Sequence, residues 1–127
     1  MSKPVYNFML IDDDIDTQRI FRMVVGQHPH RLTIAGNATE AFDILKEEQP
    51  DVIVIDLLLP GLDGYQVCER IQRDDLAGGA DMVATTAYHS VGTKEIVLAR
   101  GFSEFIPKPL DSASLVNFLE QVARRRN

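Results

Sequence analysis

Residues 51–56 read DVIVID, a nearly continuous run of Val and Ile between two aspartates. Side chains along a strand point alternately to the two faces of a sheet, so a run that is apolar at every position needs cover on both faces. Such runs are typical of strands in parallel sheets, which carry helices on both sides. The stretch therefore predicts a buried strand in a parallel sheet.

Four more short apolar runs share this strand character, and amphipathic segments separate all five. The other runs lie at residues 6–11, 31–36, 81–87 and 104–107, and the helix candidates lie at about 16–27, 38–48, 64–73, 92–100 and 111–125. Strands that alternate with helices form right-handed crossovers and build an open sheet with helices on both faces. We therefore predict an α/β fold, a doubly wound five-stranded parallel sheet with five helices, (βα)5.

Several helix boundaries carry local signals. Asp111 and Ser112 are good N-terminal caps ahead of an amphipathic segment, so we expect the last helix to begin there. Gly101 is expected to end the fourth helix, and Gln49 with Pro50 to close the second helix before the third strand.

The composition is that of one globular domain. The chain has 127 residues, of which 45% are hydrophobic and 25% charged, so we expect a single domain over residues 1–127. A net charge of −6 gives no basic footprint, so direct nucleic-acid binding is not expected. The chain lacks both an export signal and an apolar run of the ~20 residues that cross a bilayer, which favours a cytoplasmic location without membrane contact. The lone Cys68 is interpreted as a core residue.

Polar side chains gather where the predicted strands end. The carboxyl ends of parallel strands meet at one edge of the sheet, and sites form in the crevice beyond it. Two carboxylates about 4 Å apart repel by about 4 kcal/mol at an effective dielectric of roughly 20, so an acidic cluster there needs a cation or a proton. Ligands that are all oxygen suit Mg²⁺ rather than zinc. The residues at these ends are Asp12 and Asp13 after the first strand, Asp56 at the third, Thr86 at the fourth and Lys108 after the fifth.

A hydroxyl and an ammonium at the same edge are donors for an anion. Metal binding leaves Thr86 and Lys108 unused, whereas an anion beside a bound cation and an aspartate indicates phosphoryl chemistry. Asp56 would then be the nucleophile and form an aspartyl phosphate. Asp14 lies outside the acidic pair and is interpreted as a cap or turn residue of the first helix.

Four motifs occur together along the chain. They are LIDDD at residues 10–14, DVIVIDLLLPGLDGY at 51–65, ATTA at 84–87 and FIPKPL at 105–110. In this combination the chain resembles the receiver domains of bacterial two-component response regulators of the chemotaxis-regulator type, over roughly residues 5–124. The resemblance implies a flavodoxin-like fold.

The resemblance also implies a role for each residue at the strand ends. Asp12 and Asp13 match the acid pair, and Asp56 matches the phosphorylated residue. Thr86 matches the switch hydroxyl, and Lys108 matches the lysine that binds the phosphoryl oxygens.

Three further positions follow from the same resemblance. Metal ligation would fall to Asp13, Asp56 and the backbone carbonyl of Leu58, with Asp12 acting through water. Phe105 holds the position of the aromatic residue that turns inward when the phosphoryl group recruits the threonine. The peptide bond between Lys108 and Pro109, usually cis in the family, would aim the ammonium into the site.

A receiver of this kind would be a signalling switch rather than an enzyme, although it promotes its own phosphorylation and dephosphorylation. It would accept a phosphoryl group on Asp56 from a histidine kinase or a His-phosphotransfer protein, with Mg²⁺ as cofactor. Phosphorylation of Asp56 would alter the contacts of the domain with a downstream protein or output domain. A phosphorylation-dependent dimer through the fourth helix, fifth strand and fifth helix is a further implication.

Alternatives of other classes fit less well. A hydrolase of the haloacid dehalogenase type needs a second acid two residues after the nucleophile, where this chain has Leu58. A flavodoxin-like flavin carrier needs a phosphate loop after the first strand, where acids would repel the phosphate. A pseudo-receiver that only binds partners is disfavoured because no key residue is missing. The open alternative is a receiver fragment of a larger DNA-binding response regulator or hybrid sensor kinase; if Asn127 is the native end, the output must be a partner protein.

Two bulky residues flank the path by which water would reach an acyl phosphate. Leu58 lies two residues after Asp56, and Tyr88 lies two after Thr86. We expect both to slow hydrolysis. The neighbouring His89 is interpreted as a solvated loop residue rather than a contact of the phosphoryl group.

Overall fold

The computed structural model describes residues 3–125, so the first two and last two residues of the predicted domain lie outside it. Within that range the chain forms five strands and five helices in strict alternation. The strands are β1 (Asn7–Ile11), β2 (Arg31–Ala35), β3 (Val52–Asp56), β4 (Asp81–Thr86) and β5 (Glu104–Pro107). The helices are α1 (Ile15–Val25), α2 (Ala38–Leu45), α3 (Gly64–Arg73), α4 (Thr93–Ala99) and α5 (Leu115–Arg124).

The strands form one parallel sheet in the order β2-β1-β3-β4-β5. The DVIVID stretch supplies β3, the central strand, whose five residues are all buried. In register, Ile55 lies between Ile11 of β1 and Ala84 of β4. This confirms the predicted fold class. The strand order reverses between β1 and β3, and such a switch point opens a crevice at the carboxyl ends of the strands.

Helices cover both faces of the sheet. One layer contains α1 and α5, and the other contains α2, α3 and α4. Val54 packs in a cluster with Phe21 of α1 and Leu119 of α5. Its neighbour Ile55 points the other way and packs in a cluster with Val67 of α3. Because successive side chains face opposite layers, β3 has to be apolar at every position until its last residue.

The predicted start of the last helix is wrong. The Asp111 carboxylate accepts hydrogen bonds from the Ala113 N–H at 3.1 Å and the Ser114 hydroxyl at 2.9 Å. These bonds form a turn over residues 112–114, and α5 begins only at Leu115. Asp111 thus uses its capping chemistry to close a turn that precedes the helix.

Other boundaries agree more closely with the prediction. Gly101 follows α4 with φ of 106°, the left-handed region that glycine enters with least strain, as expected of a C-terminal stop. α2 ends at Leu45, earlier than predicted, so Gln49 and Pro50 lie in the loop that leads to β3.

Two predictions concerned the burial of Cys68 and the lack of a membrane-spanning segment. Cys68 is 0% exposed in α3, and burial raises the pKa of its thiol to about 11. It is therefore a core residue, as predicted. Among residues 3–125, no helix is long and apolar enough to cross a membrane.

Candidate functional site

The site lies at the switch point, where the carboxyl ends of β1 and β3 meet. Asp12 follows β1, and its N–H continues the sheet by donating to the Ala35 carbonyl at 3.0 Å. Asp56 is the last residue of β3 and pairs in register with Thr85 of β4. Because these acids extend rigid, buried strands, their backbone positions are set by the sheet.

Asp12, Asp13 and Asp56 form one cluster of carboxylates. One oxygen of each lies within 4.8 Å of the others. Asp12 is 0% and Asp56 6% exposed, whereas Asp13 is exposed to solvent. The cluster therefore has a buried floor and an open rim from which an ion or a phosphodonor can approach.

Lys108 supplies the positive charge at this edge. Its Nζ lies 3.0 Å from Asp12 Oδ2, 3.4 Å from Asp56 Oδ2 and 3.9 Å from Asp14 Oδ2. Its backbone N–H donates to the Thr86 carbonyl at 3.0 Å, which ties the residue to the end of β4. The Lys108–Pro109 peptide is cis, as predicted. The Lys108 ammonium therefore lies within ion-pair distance of three carboxylates.

The electrostatics of the pair follow from burial and from these contacts. Burial, with a smaller contribution from Asp56, raises the pKa of Asp12 to about 6, against the opposing effects of the Asp14 N–H and Lys108. Burial alone would lower the pKa of Lys108, but its contacts with Asp12 and Asp56 outweigh that effect and raise it. The ammonium thus remains charged near neutral pH, while Asp12 is a carboxylate kept in an unfavourable environment.

Asp14 caps α1. Its side chain accepts from the Thr17 N–H at 3.2 Å and from the Thr17 hydroxyl at 2.6 Å. The hydroxyl bond is the main reason that the pKa of Asp14 is lowered. The residue serves the helix start, although it also lies within ion-pair reach of Lys108.

The donor set fits a hard divalent cation. All three groups are carboxylates, and hard cations prefer oxygen ligands. Apart from its ion pair with Lys108, Asp12 Oδ2 is buried without a hydrogen-bond partner in the described chain. Leu58 contacts the cluster through its N–H, which donates to Asp56 Oδ1 at 3.0 Å. The role predicted for the Leu58 carbonyl stays a prediction.

Thr86 is the last residue of β4 and follows Thr85, the register partner of Asp56, and Phe105 lies on β5. Thr86 is 1% exposed, and its Oγ1 accepts a hydrogen bond from the Tyr88 N–H at 3.1 Å. Phe105 is half-buried against the α2–α4 layer and pairs in register with Ala84. The threonine hydroxyl is thus bound to its own loop, and the Phe105 ring is only partly packed.

The two bulky neighbours predicted to shield the site are both at its surface. Leu58 is 53% and Tyr88 79% exposed. Together with Thr86 and Ile96 they line a shallow cavity of about 260 Å³. Their place on the path of water to Asp56 and their effect on hydrolysis both stay predictions.

Thr85 is a site neighbour that the sequence analysis missed. It is 0% exposed, and its Oγ1 has no hydrogen-bond partner among residues 3–125. Val83 and Val54, two residues before Thr85 and Asp56, both face the α1 and α5 layer. By alternation Thr85 and Asp56 share that face. The first threonine of ATTA was the available signal, but whether it pairs with Asp56 depends on the β3–β4 register.

His89 and Gln18 also touch the site residues. The His89 ring lies against Phe105, and its Nε2 is 3.1 Å from the Lys108 carbonyl. The Gln18 amide donates to the Asp12 carbonyl at 2.7 Å. His89 is exposed, as expected of a loop residue, but it has partners that the sequence did not reveal.

Fold and site together define a doubly wound α/β domain with an acidic, lysine-bearing crevice at its switch point. The model of the response regulator receiver domain matches residues 8–120. The chain therefore belongs to the family of response regulator receiver domains of two-component systems.

Its relatives in sequence are response regulators and a small uncharacterized protein. The chain is 29% identical over 115 residues to an uncharacterized 14.6 kDa protein of Leptolyngbya boryana, a match covering 91% of this chain and 88% of the relative. It is 29% identical over 119 residues to the transcriptional regulatory protein AfsQ1 of Streptomyces coelicolor, with 94% of this chain and 52% of the relative covered. The response regulator MprA of Mycolicibacterium vanbaalenii is 28% identical and is covered to 50%. The chain thus spans about half the length of the named regulators.

Solved structures share the fold. The receiver domain of the Francisella response regulator 1452 superimposes with a TM-score of 0.86 at 21% identity, covering 96% of this chain and 99% of that one. A CheY-like receiver domain protein of Methanospirillum hungatei gives 0.85 at 20% identity, with 97% of both chains covered. At such identities the likeness is one of fold.

Proposed function

We propose that the chain is a phosphoacceptor switch that receives a phosphoryl group on Asp56. The observation that carries this proposal is the joint placement of three carboxylates within 4.8 Å and of the Lys108 Nζ at 3.4 Å from Asp56 Oδ2. An anionic transition state requires positive charge and a nucleophile at one point. Membership of the receiver family supports the same assignment.

The transfer would use Asp56 as nucleophile and a phosphohistidine of a histidine kinase or His-phosphotransfer protein as donor. A carboxylate oxygen of Asp56 attacks phosphorus, the P–N bond breaks, and its electron pair returns to the imidazole nitrogen. Lys108 binds the oxygens of the transferring group and offsets their charge.

Asp13 and Asp56 would hold Mg²⁺, with Asp12 positioned to act through water. When bound, the ion supplies charge neutralisation and a template for the phosphoryl oxygens. Asp12 is suited to a supporting role because its backbone is held by the Ala35 carbonyl and its Oδ1 accepts from the Asp14 N–H at 2.9 Å.

Switching would follow from a new partner for Thr86. The hydroxyl leaves the Tyr88 N–H, donates to a phosphoryl oxygen on Asp56, and frees space toward which Phe105 turns. A ligand shifts a two-state equilibrium only through unequal contacts, and the Thr86 hydroxyl and Lys108 ammonium are the groups that make them here. The face formed by α4, β5 and α5 then changes its affinity for a downstream protein or output domain.

The same proposal makes the chain a signalling switch rather than an enzyme acting on other substrates, and it includes a cytoplasmic location, which the sequence favours. A dimer through α4, β5 and α5 after phosphorylation remains a prediction.

A second context has an observation in its favour. The named regulators AfsQ1 and MprA are about twice as long as the matched region, since this chain covers 52% and 50% of them. The chain would then be the receiver of a longer DNA-binding regulator or hybrid kinase. The smaller relative, covered to 88%, favours a stand-alone switch. Sequencing the gene beyond the codon for Asn127 distinguishes the two.

Intact mass spectrometry tests the central proposal. The chain is incubated with acetyl phosphate and Mg²⁺, and we expect the mass of one phosphoryl group to be added. Asp56→Asn should gain none, because an amide oxygen does not form the acyl phosphate. Asp63→Asn is a matched control, since Asp63 caps α3 outside the cluster. A native chain that gains no phosphoryl group would contradict the proposal.

A further inference from the structure

His89 connects the three parts of the proposed switch. Its ring meets Phe105 edge to face, with the ring centroids 6.0 Å apart and the planes at 69°. Its Nε2 lies 3.1 Å from the carbonyl oxygen of Lys108. The residue itself belongs to the loop over residues 87–92, which follows Thr86 and leads into α4. One side chain therefore touches the switch aromatic and the residue that carries the site ammonium.

The polarity of the Lys108 contact is fixed by its acceptor. A carbonyl oxygen has no proton to give, so the His89 Nε2 carries the hydrogen and donates it. The contact therefore links the loop to Lys108, the residue that follows β5.

The structure shows the His89–Lys108 contact together with one conformation of Thr86 and Phe105. In it the Thr86 Oγ1 accepts from the Tyr88 N–H at 3.1 Å, and Phe105 stays half-buried beside His89. We call this arrangement the resting conformation. In the proposed switch the Phe105 ring turns toward the space that Thr86 frees, so it leaves the contact with the His89 ring.

We infer that His89 is a positioning residue that stabilises the resting conformation by holding Phe105 and the Lys108 carbonyl together. The inference rests on the proposed switch at Asp56 and adds a determinant of its equilibrium. A contact made in only one of two states shifts the population toward that state. Removal of His89 should therefore favour the switched conformation and strengthen binding of any ligand that prefers it.

Beryllofluoride, a phosphoryl mimic, measures this shift directly. Its apparent dissociation constant is determined by NMR titration at saturating Mg²⁺ for the native chain and for His89→Ala. We expect His89→Ala to bind about fivefold more tightly, the change produced when one exposed hydrogen bond and one ring contact are lost from the competing state. A merely structural role would weaken binding or leave it unchanged, so the direction of the change is diagnostic.

Further variants separate the two contacts. His89→Phe keeps a ring against Phe105 but loses the donor to Lys108, and we expect about a twofold tightening. In a Phe105→Leu background the ring contact is already absent, so His89→Ala should add only about twofold there. Val91→Ala is the matched control, because Val91 lies in the same loop and is 100% exposed. It should bind beryllofluoride as the native chain does.

The outcomes distinguish the inference from the function on which it rests. Tighter binding by His89→Ala, with native binding by Val91→Ala, supports it. A native chain that binds beryllofluoride while His89→Ala binds equally or more weakly overturns the inference alone. A native chain that does not bind beryllofluoride overturns the proposed switch and the inference with it.

Discussion

The two sides of the crevice are built differently. On the acidic side, defined by Asp12, Asp13 and Asp56, the two strand-borne acids are 0% and 6% exposed and extend buried strands. On the switch side, defined by Thr86, the loop over residues 87–92 and Phe105, Tyr88 is 79% and Val91 100% exposed. Rigid packing suits groups that must be placed for a reaction, and a loosely packed loop suits a change of conformation. Substitutions should therefore abolish chemistry on one side and adjust it on the other.

Glycine substitutions should show the difference in packing most strongly. A Cβ at Gly64, the first residue of α3, would lie 2.6 Å from Leu57 Cα and closer still to the Asp56 carbonyl oxygen. Backbone atoms of β3 cannot move aside cheaply, so we expect Gly64→Ala to lower the free energy of unfolding by about 3 kcal/mol. Chemical denaturation followed by far-UV circular dichroism measures the loss.

Gly92 is the matched position on the switch side. It precedes α4, and a Cβ there meets no atom within 4 Å. Gly92→Ala should therefore change the free energy of unfolding by about 0.5 kcal/mol or less. If Gly64→Ala and Gly92→Ala lowered the free energy of unfolding equally, the proposed difference in packing between the two sides would be wrong.

A substitution at Asp13 tests the chemistry of the acidic side without disturbing the fold, because the Asp13 side chain is exposed. Asp13→Ala removes one of the carboxylates proposed to hold Mg²⁺. We expect the rate of phosphorylation by acetyl phosphate to fall about 100-fold at fixed Mg²⁺. The rate is measured from the time course of the phosphorylated mass.

An exposed acid outside the cluster controls for net charge. Asp16→Ala removes the same charge from the first turn of α1 and should leave the rate within about twofold. A native rate in Asp13→Ala would remove Asp13 from the proposed metal site.

The acidic side was the more predictable one from sequence. β3 is apolar because both its faces are covered, and parallel strands deliver their last residues to one edge, so Asp12 and Asp56 could be placed without coordinates. The loop before α5 was less predictable because Asp111 is suited equally to a turn and to a helix cap. Local sequence does not choose between these uses.

Two positions around the crevice, Thr85 and His89, have contacts that the sequence could not reveal. Thr85 depends on the β3–β4 register, which places it beside Asp56, and a single alternating strand gives no register. His89 contacts Lys108 and Phe105 across a loop whose path is set by tertiary packing. Spacing in the chain gives no sign of either contact.

The pKa of Asp12 predicts a pH dependence that belongs to the acidic side. Folding raises this pKa from 3.8 to about 6, so between these values the folded chain binds more protons than the unfolded chain. The contribution of Asp12 to stability is therefore fully present below about pH 4 and is lost as pH rises through 6. We expect this loss to be about 2 kcal/mol without divalent cations. Urea denaturation at pH 4, 5, 6 and 7 measures it.

Asp12→Asn isolates this contribution, since the amide resembles the protonated acid and does not titrate. The difference in stability between the variant and the native chain should grow from pH 4 to pH 7 in favour of the variant, and added Mg²⁺ should reduce it by stabilising the native chain. A difference that is independent of pH would show that Asp12 does not titrate in this range.

The smallest effect is expected from Tyr88, on the switch side. Its exposed ring lines a cavity together with Leu58 and Thr86, and the sequence predicts that Tyr88 and Leu58 shield an acyl phosphate on Asp56 from water. We expect Tyr88→Ala to shorten the lifetime of the phosphorylated chain about threefold, because a more open approach lets water reach the phosphorus more often. Decay of the phosphorylated mass after removal of the donor gives the lifetime.

The bond from the Tyr88 N–H to Thr86 comes from the backbone, so Tyr88→Ala keeps it and changes only the shielding. Val91→Ala, which opens no part of this cavity, should keep the native lifetime. If Tyr88→Ala also keeps it, the ring does not limit the access of water. If Tyr88→Ala instead slowed phosphorylation as much as Asp13→Ala, Tyr88 would contribute to the reaction itself. The proposed division between a chemical side and a switch side would then be wrong.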